Sequence, residues 1–168
     1  MRIILKELDI TMVNKKYLSW MQDSVLMKYT EQSDKKHTIK EIRSYVQKCK
    51  NSKQNFLMGI FFKKIQKYIH VGNIKLGNIN YTHEFAEISY FLGEKKYSGK
   101  GIVTEAISKT ILFAKKKGIK KLLAGTYEMN LASQLVLRKN KFKLEGTLKK
   151  KLIYQNKRCD HLIFGLNI

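Results

Sequence analysis

The chain has 168 residues, a length that suits one domain with a buried core. Hydrophobic residues make up 43% and charged residues 28%, as in ordinary globular proteins. No apolar run approaches the roughly 20 residues that span a bilayer, and residues 1–10 lack the pattern of a cleaved leader. The two cysteines, Cys49 and Cys159, lie too far apart for a disulfide framework or a zinc motif. We therefore expect a single domain over residues 1–168, in the cytoplasm.

The charge is strongly positive, with 34 Lys and Arg against 13 Asp and Glu, a net +21. Such a charge fits a nucleic acid, an anionic ligand, or a chain that uses lysine wherever its surface permits. Only Arg2, Arg43, Arg138 and Arg158 are arginines, although bidentate recognition of bases and phosphates depends on arginine. The lysine bias therefore favours a compositional origin over nucleic-acid binding.

The first half of the chain predicts a strand followed by two helices. Residues 2–5 indicate the strand, and residues 14–21 a short helix with apolar side chains on one face. The polar residues 22–37 indicate a loop or a broken helix. Thr38 and Glu41 have the spacing of a capping box, which predicts a helix over residues 38–49.

The next residues predict three antiparallel strands. Residues 55–62 and 68–80 are strand-like and are separated by a short polar turn at residues 63–67. A second turn at residues 81–85 leads to the apolar strand 87–92. Short connections favour antiparallel pairing, so these strands should form a meander.

The second half predicts a strand–helix–strand unit and a terminal hairpin. Apolar residues recur at helical spacing over residues 102–117, and the strand 121–126 follows, so strands 87–92 and 121–126 should lie parallel. Asn130 can cap a helix over residues 131–140. Residues 142–154 and 159–167 should pair across a turn at 155–158. This order predicts an α/β fold with a mixed, mostly antiparallel sheet of about seven strands, a central parallel pair and about four helices.

An anion site is predicted between strand 87–92 and its helix. Gly99 and Gly101 allow close approach of the backbone, and the unpaired N–H groups of a helix N-terminus attract negative charge. Two phosphate-binding chemistries fail on spacing. A P-loop would need a hydroxyl residue after Lys100, and a dinucleotide fingerprint would need glycine where Thr104 stands.

A third chemistry fits the motifs. The segment Lys96-Tyr-Ser-Gly-Lys-Gly101 resembles the Q/R-x-x-G-x-G/A signature of the GCN5-related N-acetyltransferase (GNAT) superfamily. The other segments that resemble this family, in the branch with the ribosomal-protein N-acetyltransferases, are Trp20–Asp23 with Tyr29, Asn130–Ser133, Arg138–Phe142 and Gln155–Asp160. Lys141 replaces the usual glycine before Phe142, and Leu137 replaces the tyrosine that acts as a catalytic acid in other branches.

The resemblance implies acetyl-CoA as the acetyl donor, no metal, and direct attack by a primary amine. Backbone groups of the glycine loop would hold the pyrophosphate, and the main chain of the preceding strand would align the pantetheine arm. The expected acetyl-CoA contacts are Phe91, Leu92, Lys96, Tyr97, Ser98, Gly99, Lys100, Gly101, Ile102, Val103, Thr104, Asn130 and Ser133.

Two residues are expected to carry the proton transfers. Glu87 stands in a segment that resembles the one with the catalytic glutamate of histone-acetylating relatives, and could take the amine proton through a water. His83 and Glu84 are the alternatives to Glu87. Ser133 is the expected partner of the departing thiolate, whereas Tyr90 is expected to be a core residue.

The acceptor is left open among several amines. Tyr29, Glu31 and His37 lie in the segment that borders the acceptor pocket in this branch, and His83 is a further expected substrate contact. A nucleotide-linked amino sugar or other small amine suits the positive charge best. A protein N-terminus comes next, and a polyamine last. A homodimer is possible, and a nucleic-acid-binding module without catalysis is the non-enzymatic alternative.

Overall fold

Seven strands of the computed structural model form one sheet in the order β1-β2-β3-β4-β5-β7-β6, within the described residues 2–33 and 35–168. The strands are β1 (Ile3–Glu7), β2 (Phe56–Lys64), β3 (Lys67–Asn80), β4 (Phe85–Leu92), β5 (Lys121–Tyr127), β6 (Lys143–Tyr154) and β7 (Lys157–Asn167). The helices are α1 (Lys15–Gln22), α2 (Ser24–Met27), α3 (Ile39–Lys50), α4 (Ile102–Lys116) and α5 (Leu131–Lys139). Single 3₁₀ turns occur at Ile10–Met12 and Lys95–Tyr97.

The central feature of the sheet is its one parallel pair, β4 with β5, among the strands described. These two strands pair at only three positions, Phe85 with Lys121, Ala86 with Leu122 and Glu87 with Leu123. Beyond Glu87, β4 continues in register with β3, and β5 continues with β7. The two strands therefore diverge toward their carboxyl ends. The predicted mixed sheet, its parallel pair and its strand–helix–strand unit are confirmed.

Two hydrophobic clusters cover opposite faces of the sheet. The cluster under α4 and α5 contains Ile88, Ala106, Leu122, Ala124 and Phe164, all buried. The main members of the cluster under α1 and α3 are Leu8, Val13, Tyr17, Trp20, Ile42, Val46 and Leu57. Because side chains alternate along a strand, Ile88 faces α4 and its neighbour Glu87 faces the side of α1 and α3.

The predicted helices form, with local signals that agree with their positions. Thr38 and Glu41 make both hydrogen bonds of the capping box at α3, with Thr38 N donating to Glu41 Oε2 at 2.8 Å and Glu41 N donating to Thr38 Oγ1 at 3.2 Å. The segment 22–37 contains the four-residue helix α2, as the broken-helix alternative predicted. Four helices have eight or more residues in the described ranges, as expected.

The hairpin turns are shorter than the polar residues suggested. The predicted turn 63–67 is reduced to Ile65 and Gln66, and the predicted turn 155–158 to Gln155 and Asn156. Gln155 and Asn156 both have positive φ, 48° and 61°, the geometry of a two-residue turn that matches strand twist. The lysines at these turns form strand pairs although their side chains are exposed. Polarity alone therefore gave the wrong boundaries.

Lys141 adopts the conformation for which relatives use glycine. Its φ is 66°, in the left-handed region, and it places Phe142 in the core with 2% of its surface exposed. The turn after α5 therefore forms with a lysine in the left-handed region, where a side chain makes the backbone conformation unfavourable.

Candidate functional site

The divergence of β4 and β5 creates an opening lined by backbone. Residues 88–92 of β4 pair with β3 on one edge, whereas their other edge has no strand partner among the described residues. The side chain of Phe91 packs in the cluster under α1 and α3, and that of Leu92 packs under α4. Both residues therefore offer only their main chain to the opening, which is the role expected for them.

The carboxyl end of β4 leads to a helix N-terminus without a side-chain cap in the described structure. Gly101 is the N-cap residue, with φ 74°, and the first helical hydrogen bond runs from Glu105 N to Gly101 O at 3.0 Å. The N–H groups of residues 102–104 thus lie ahead of the helical ladder. Gly99, with φ 72°, has open space of 4 Å around the position of a Cβ, as far as the described atoms extend. This is an anion-binding geometry.

Two of the expected cofactor contacts cannot use their side chains. Tyr97 is 7% exposed and its ring packs against Phe62 at 4.8 Å, and Ile102 is 1% exposed. Only their backbone can face a ligand. Lys96 and Lys100 remain exposed, with Lys96 Nζ 3.2 Å from Glu94 Oε2 and Lys100 Nζ 5.6 Å from the Tyr97 ring centre.

The Trp20–Asp23 motif supports this loop. A Cβ on Gly93 would lie 2.2 Å from the Trp20 ring, so glycine is required for the ring to pack against the loop. Asp23 caps α2 by accepting from the N–H groups of Val25 and Leu26, each at 3.0 Å, and pairs with Lys95 at 2.9 Å. The motif therefore ties the amino-terminal helices to the loop between β4 and α4.

A pair of hydroxyls spans the opening on the α5 side. Tyr90 Oη lies 2.8 Å from Ser133 Oγ, and Ser133 N donates to the Asn130 side chain at 3.2 Å. Burial raises the pKa of Tyr90 to about 12, so the phenol stays protonated at neutral pH. Leu137, at the position of the tyrosine in other branches, is fully buried. Tyr90 packs against the core as expected, but its hydroxyl also contacts a candidate catalytic residue.

Glu87 lies on the opposite face of the opening. Its side chain is exposed, and Oε2 accepts from Asn78 Nδ2 at 2.9 Å. Asn78 has φ 51° at an irregularity of β3, which brings its amide to the carboxylate. Glu87 also borders an open cleft of about 460 Å³, whose other polar lining residues are Gln54, Asn78, Asn80, Tyr81 and Thr82.

Tyr29 and Glu31 approach the far side of the opening. The Tyr29 ring lies 5.7 Å from that of Tyr127 on β5 and 5.2 Å from that of Tyr154 on β6. Glu31 is close enough to β7 to raise the pKa of His161 by its charge. These two expected acceptor residues are thus brought to the same face of the sheet as Glu87.

His161 is a residue of the acceptor face that the sequence predictions did not name. It lies on β7 opposite Tyr127, and its ring lies over Gly125, where a Cβ would be 2.2 Å from Nε2. Its Nδ1 is buried without a hydrogen-bond partner in the described part of the chain. Burial, and secondly the charge of Lys151, lower the pKa of His161, opposed by Glu31 and Glu87. Gly125 inside an apolar strand was the available signal.

The two histidines that were expected in the site, His37 and His83, lie in different parts of the fold from His161. His37 stands just before α3, where its carbonyl accepts from Gln22 Nε2 at 3.1 Å. His83 is exposed in the β3–β4 turn, with its N–H donating to Asn80 Oδ1 at 2.9 Å. Glu84 has φ 51° and its carbonyl accepts from Lys120 N at 2.7 Å. The structure gives His83 and Glu84 roles in holding this turn.

The described residues contain neither a metal-binding group of side chains nor a helix that could cross a membrane. Residues 2–33 and 35–168 contain no group of three or more His, Cys, Asp or Glu arranged to hold a metal ion. None of the helices in these ranges combines the length and the apolar character needed to cross a membrane.

A strand opening that ends at an anion-binding helix N-terminus defines a protein built to hold an extended, phosphate-bearing ligand. The family model for the acetyltransferase (GNAT) domain matches residues 2–143, and the chain belongs to this family. Family membership confirms the prediction of an acetyltransferase with acetyl-CoA as its donor. A search of the curated proteins finds no match.

Solved structures share the fold over nearly the whole chain. The microcin C7 self-immunity acetyltransferase MccE, in complex with acetyl-CoA and AMP, is 22% identical with a TM-score of 0.85, over 99% of this chain and 93% of that one. RimL, a ribosomal L7/L12 α-N-protein acetyltransferase in complex with CoA, is 20% identical with a TM-score of 0.86, over 100% and 95%. Spermidine N-acetyltransferase from Vibrio cholerae, in complex with CoA and spermine, is 15% identical with a TM-score of 0.87, over 99% and 95%.

Proposed function

We propose that residues 1–168 form a single N-acetyltransferase domain that moves the acetyl group of acetyl-CoA to the primary amine of a small molecule by direct attack. The observation that carries this proposal is the β4–β5 opening, with the anion site of α4 at its wide end. Glu87 lies on one face of that opening, and the Tyr90–Ser133 pair lies on the other.

The donor would lie along the backbone. The pyrophosphate would accept hydrogen bonds from the N–H groups of residues 98–104, and the pantetheine arm would pair with the open edge of β4 at Phe91 and Leu92. Lys96 and Lys100 are exposed cations beside this loop and would add attraction for phosphate. The residue types thus supply shape and charge without any metal.

The leaving thiolate would depart beside α5. Asn130 caps this helix, and Ser133 in its first turn presents a hydroxyl that already contacts Tyr90. Ser133 would donate a hydrogen bond to the departing sulfur while Tyr90 donates to Ser133, and the thiolate would take its proton from water. The neighbouring N–H groups of the first turn of α5 would favour the developing negative charge.

The acceptor would enter from the face that carries Glu87. The Glu87 carboxylate would attract the ammonium form of the acceptor. The amides and hydroxyls of the neighbouring cleft would suit the hydroxyls of a sugar. The rings of Tyr29, Tyr127 and Tyr154 offer flat apolar surfaces, and Lys28 Nζ lies 4.7 Å from the Tyr29 ring centre, a combination that suits a nucleotide. We therefore favour a nucleotide-linked amino sugar.

Two other acceptor classes have support from structural neighbours. RimL is described as acting on a ribosomal protein, and the Vibrio cholerae enzyme was solved with spermine. A polyamine would need several carboxylates in its pocket. Here Glu31 and Glu87 lie on the acceptor face, and Glu84 lies in the β3–β4 turn. A protein N-terminus therefore ranks second and a polyamine third.

The test is acetyl transfer to named amines. Purified protein is mixed with acetyl-CoA and, separately, with a UDP-linked amino sugar, a peptide with an N-terminal serine, and spermidine, while released thiol is followed. We expect the highest kcat/KM with the amino sugar. Acetyl-CoA binding is measured in parallel by calorimetry.

The outcomes separate the proposals. Absence of acetyl-CoA binding contradicts the donor site. If acetyl-CoA binds and the peptide or spermidine is acetylated faster than the amino sugar, the faster amine takes the place of the amino sugar as the acceptor. Tight binding of RNA without thiol release would instead support the nucleic-acid alternative. Sedimentation of the same sample decides between a monomer and the homodimer considered from the sequence.

A further inference from the structure

His161 is placed where the acceptor face meets the β4–β5 opening. Residues of β5 alternate between faces, so buried Leu122 and Ala124 face α4, while Gly125 faces the side of Glu87. The ring of His161 occupies the space that a side chain on Gly125 would fill. The imidazole therefore covers the stretch of β5 that has separated from β4.

The polar atoms of this ring are incompletely satisfied. Nδ1 is buried, and no hydrogen-bond partner reaches it from residues 2–33 or 35–168. A buried nitrogen without a partner carries a desolvation cost, and such groups in native proteins call for a reason. Nδ1 itself is closed to a substrate, whereas Nε2, which lies over Gly125, is the ring nitrogen that the amine acceptor can approach.

The predicted base, Glu87, has surroundings that suit a different task. It is exposed and accepts from Asn78, so water and an amide already solvate its carboxylate. A solvated carboxylate attracts an ammonium ion well. Histidine side chains as a class titrate near neutrality, which suits a group that must take a proton and release it again at each turnover.

We propose that His161, and not Glu87, accepts the proton of the acceptor amine. This inference rests on the proposed acetyl transfer. The neutral amine nitrogen bonds to the thioester carbonyl carbon, and the C–S bond breaks with its electron pair on sulfur. The proton lost by the amine nitrogen moves to Nε2, so acetyl-CoA, amine and imidazole become the amide, the CoA thiolate and the imidazolium. Glu87 and Glu31 would stabilise that imidazolium.

The charges facing the ring come from three elements and set its proton affinity. Burial and Lys151 of β6 keep the pKa of His161 below its ordinary value, while Glu31, after α2, and Glu87 of β4 act in the opposite sense. Tyr127 of β5 is the cross-strand neighbour. The lowered pKa leaves the ring neutral, and able to accept a proton, at neutral pH.

The test uses the ratio of wild-type kcat/KM to that of His161→Gln across pH 5–9, with the acceptor of the three amines that turns over best. The amine titrates identically with both proteins, so the ratio isolates the protein group. We expect a ratio close to one at the acid end, rising to a plateau of about 100-fold. Acetyl-CoA affinity should change less than twofold.

Variants that keep His161 protect the test against misfolding of His161→Gln. Lys151→Met should move the acid limb of the wild-type profile to higher pH, because it removes a charge that opposes protonation. Glu31→Gln should move it to lower pH. Lys157→Met, at the distant end of the β6–β7 hairpin, is the matched control and should leave the limb in place.

Histidine NMR provides a readout that does not depend on turnover. The titration of His161, assigned by its loss in His161→Gln, should have the same midpoint as the kinetic limb and shift with it in each variant. A pH-independent ratio, or a limb that ignores Lys151→Met and Glu31→Gln, would overturn the role of His161 while leaving acetyl transfer intact. A wild type that binds acetyl-CoA and acetylates none of the amines would contradict both proposals together.

Discussion

The two halves of the proposed site are built from different parts of the chain. The donor half consists of backbone from one continuous stretch, the open edge of β4, two glycines of positive φ and the first turn of α4. The acceptor half consists of side chains from distant segments, with Glu87 on β4, Tyr29 and Glu31 after α2, and His161 on β7. One half is local in sequence, and the other is assembled by the tertiary fold.

This difference follows from what each substrate needs. A pyrophosphate is recognised by N–H groups and a helix dipole, which any sequence supplies provided that glycine permits the approach. An acceptor amine must be held, deprotonated and distinguished from other amines, which requires particular side chains at particular distances. We therefore expect donor-side changes to affect acetyl-CoA affinity alone, and acceptor-side changes to affect kcat and the acceptor KM.

The same difference explains what the sequence could predict. The spacing of Gly99 and Gly101 was sufficient to predict a glycine loop of positive φ that opens α4, and short connections with a strand–helix–strand unit were sufficient for the sheet. His161 was missed because its one sequence signal, Gly125 inside an apolar strand, lies on a different strand and does not say which side chain fills the space. His83 was predicted from its position in the turn before Glu87, and the structure places it, exposed, in that turn.

The largest expected effect is on the donor half, from Gly99→Asp. A carboxylate in the anion site repels the pyrophosphate, so we predict a loss of acetyl-CoA affinity of about 100-fold, measured by calorimetry. The space around Gly99 is open, so the fold should persist. Gly99→Asn is the matched control, because asparagine tolerates positive φ and carries no charge. Equal losses in the two variants would mean that shape, not charge, decides donor binding.

A smaller effect is expected on the acceptor half, from Glu87→Gln. Loss of the carboxylate that attracts the ammonium ion should lower kcat/KM for the amine about 10-fold, or about 1.4 kcal/mol, with acetyl-CoA affinity retained. The deficit should shrink as pH rises, because a neutral amine no longer needs the charge. That trend is opposite to the one expected for His161→Gln, so the two profiles together identify which residue takes the proton. A large loss of kcat in Glu87→Gln, together with a His161→Gln ratio that does not change with pH, would return that role to Glu87.

The hydroxyl pair joins the two halves and should respond in both rate and stability. Ser133→Ala removes the hydrogen-bond donor to the thiolate, so we expect kcat to fall by about 10-fold. It also leaves the buried Tyr90 hydroxyl without its partner, at a cost of about 1–3 kcal/mol in the free energy of unfolding. Tyr90→Phe combined with Ser133→Ala should recover part of that stability but none of the rate. Full recovery of the rate in the double variant would exclude a role of this pair in the departure of the thiolate.

The smallest effect concerns a backbone conformation outside both halves. Lys141 has φ 66° like the loop glycines, yet it has no place in either substrate site. Lys141→Gly should relieve the left-handed strain while adding entropy to the unfolded chain, for a net stabilisation of about 0.5 kcal/mol in urea unfolding. Acetyl-CoA affinity and kcat should not change. Lys139→Gly, at the end of α5, is the control and should destabilise, since glycine disfavours helix. If Lys141→Gly altered acetyl-CoA affinity, positive φ at this turn would be part of the donor site, and the division between a local donor half and a dispersed acceptor half would fail.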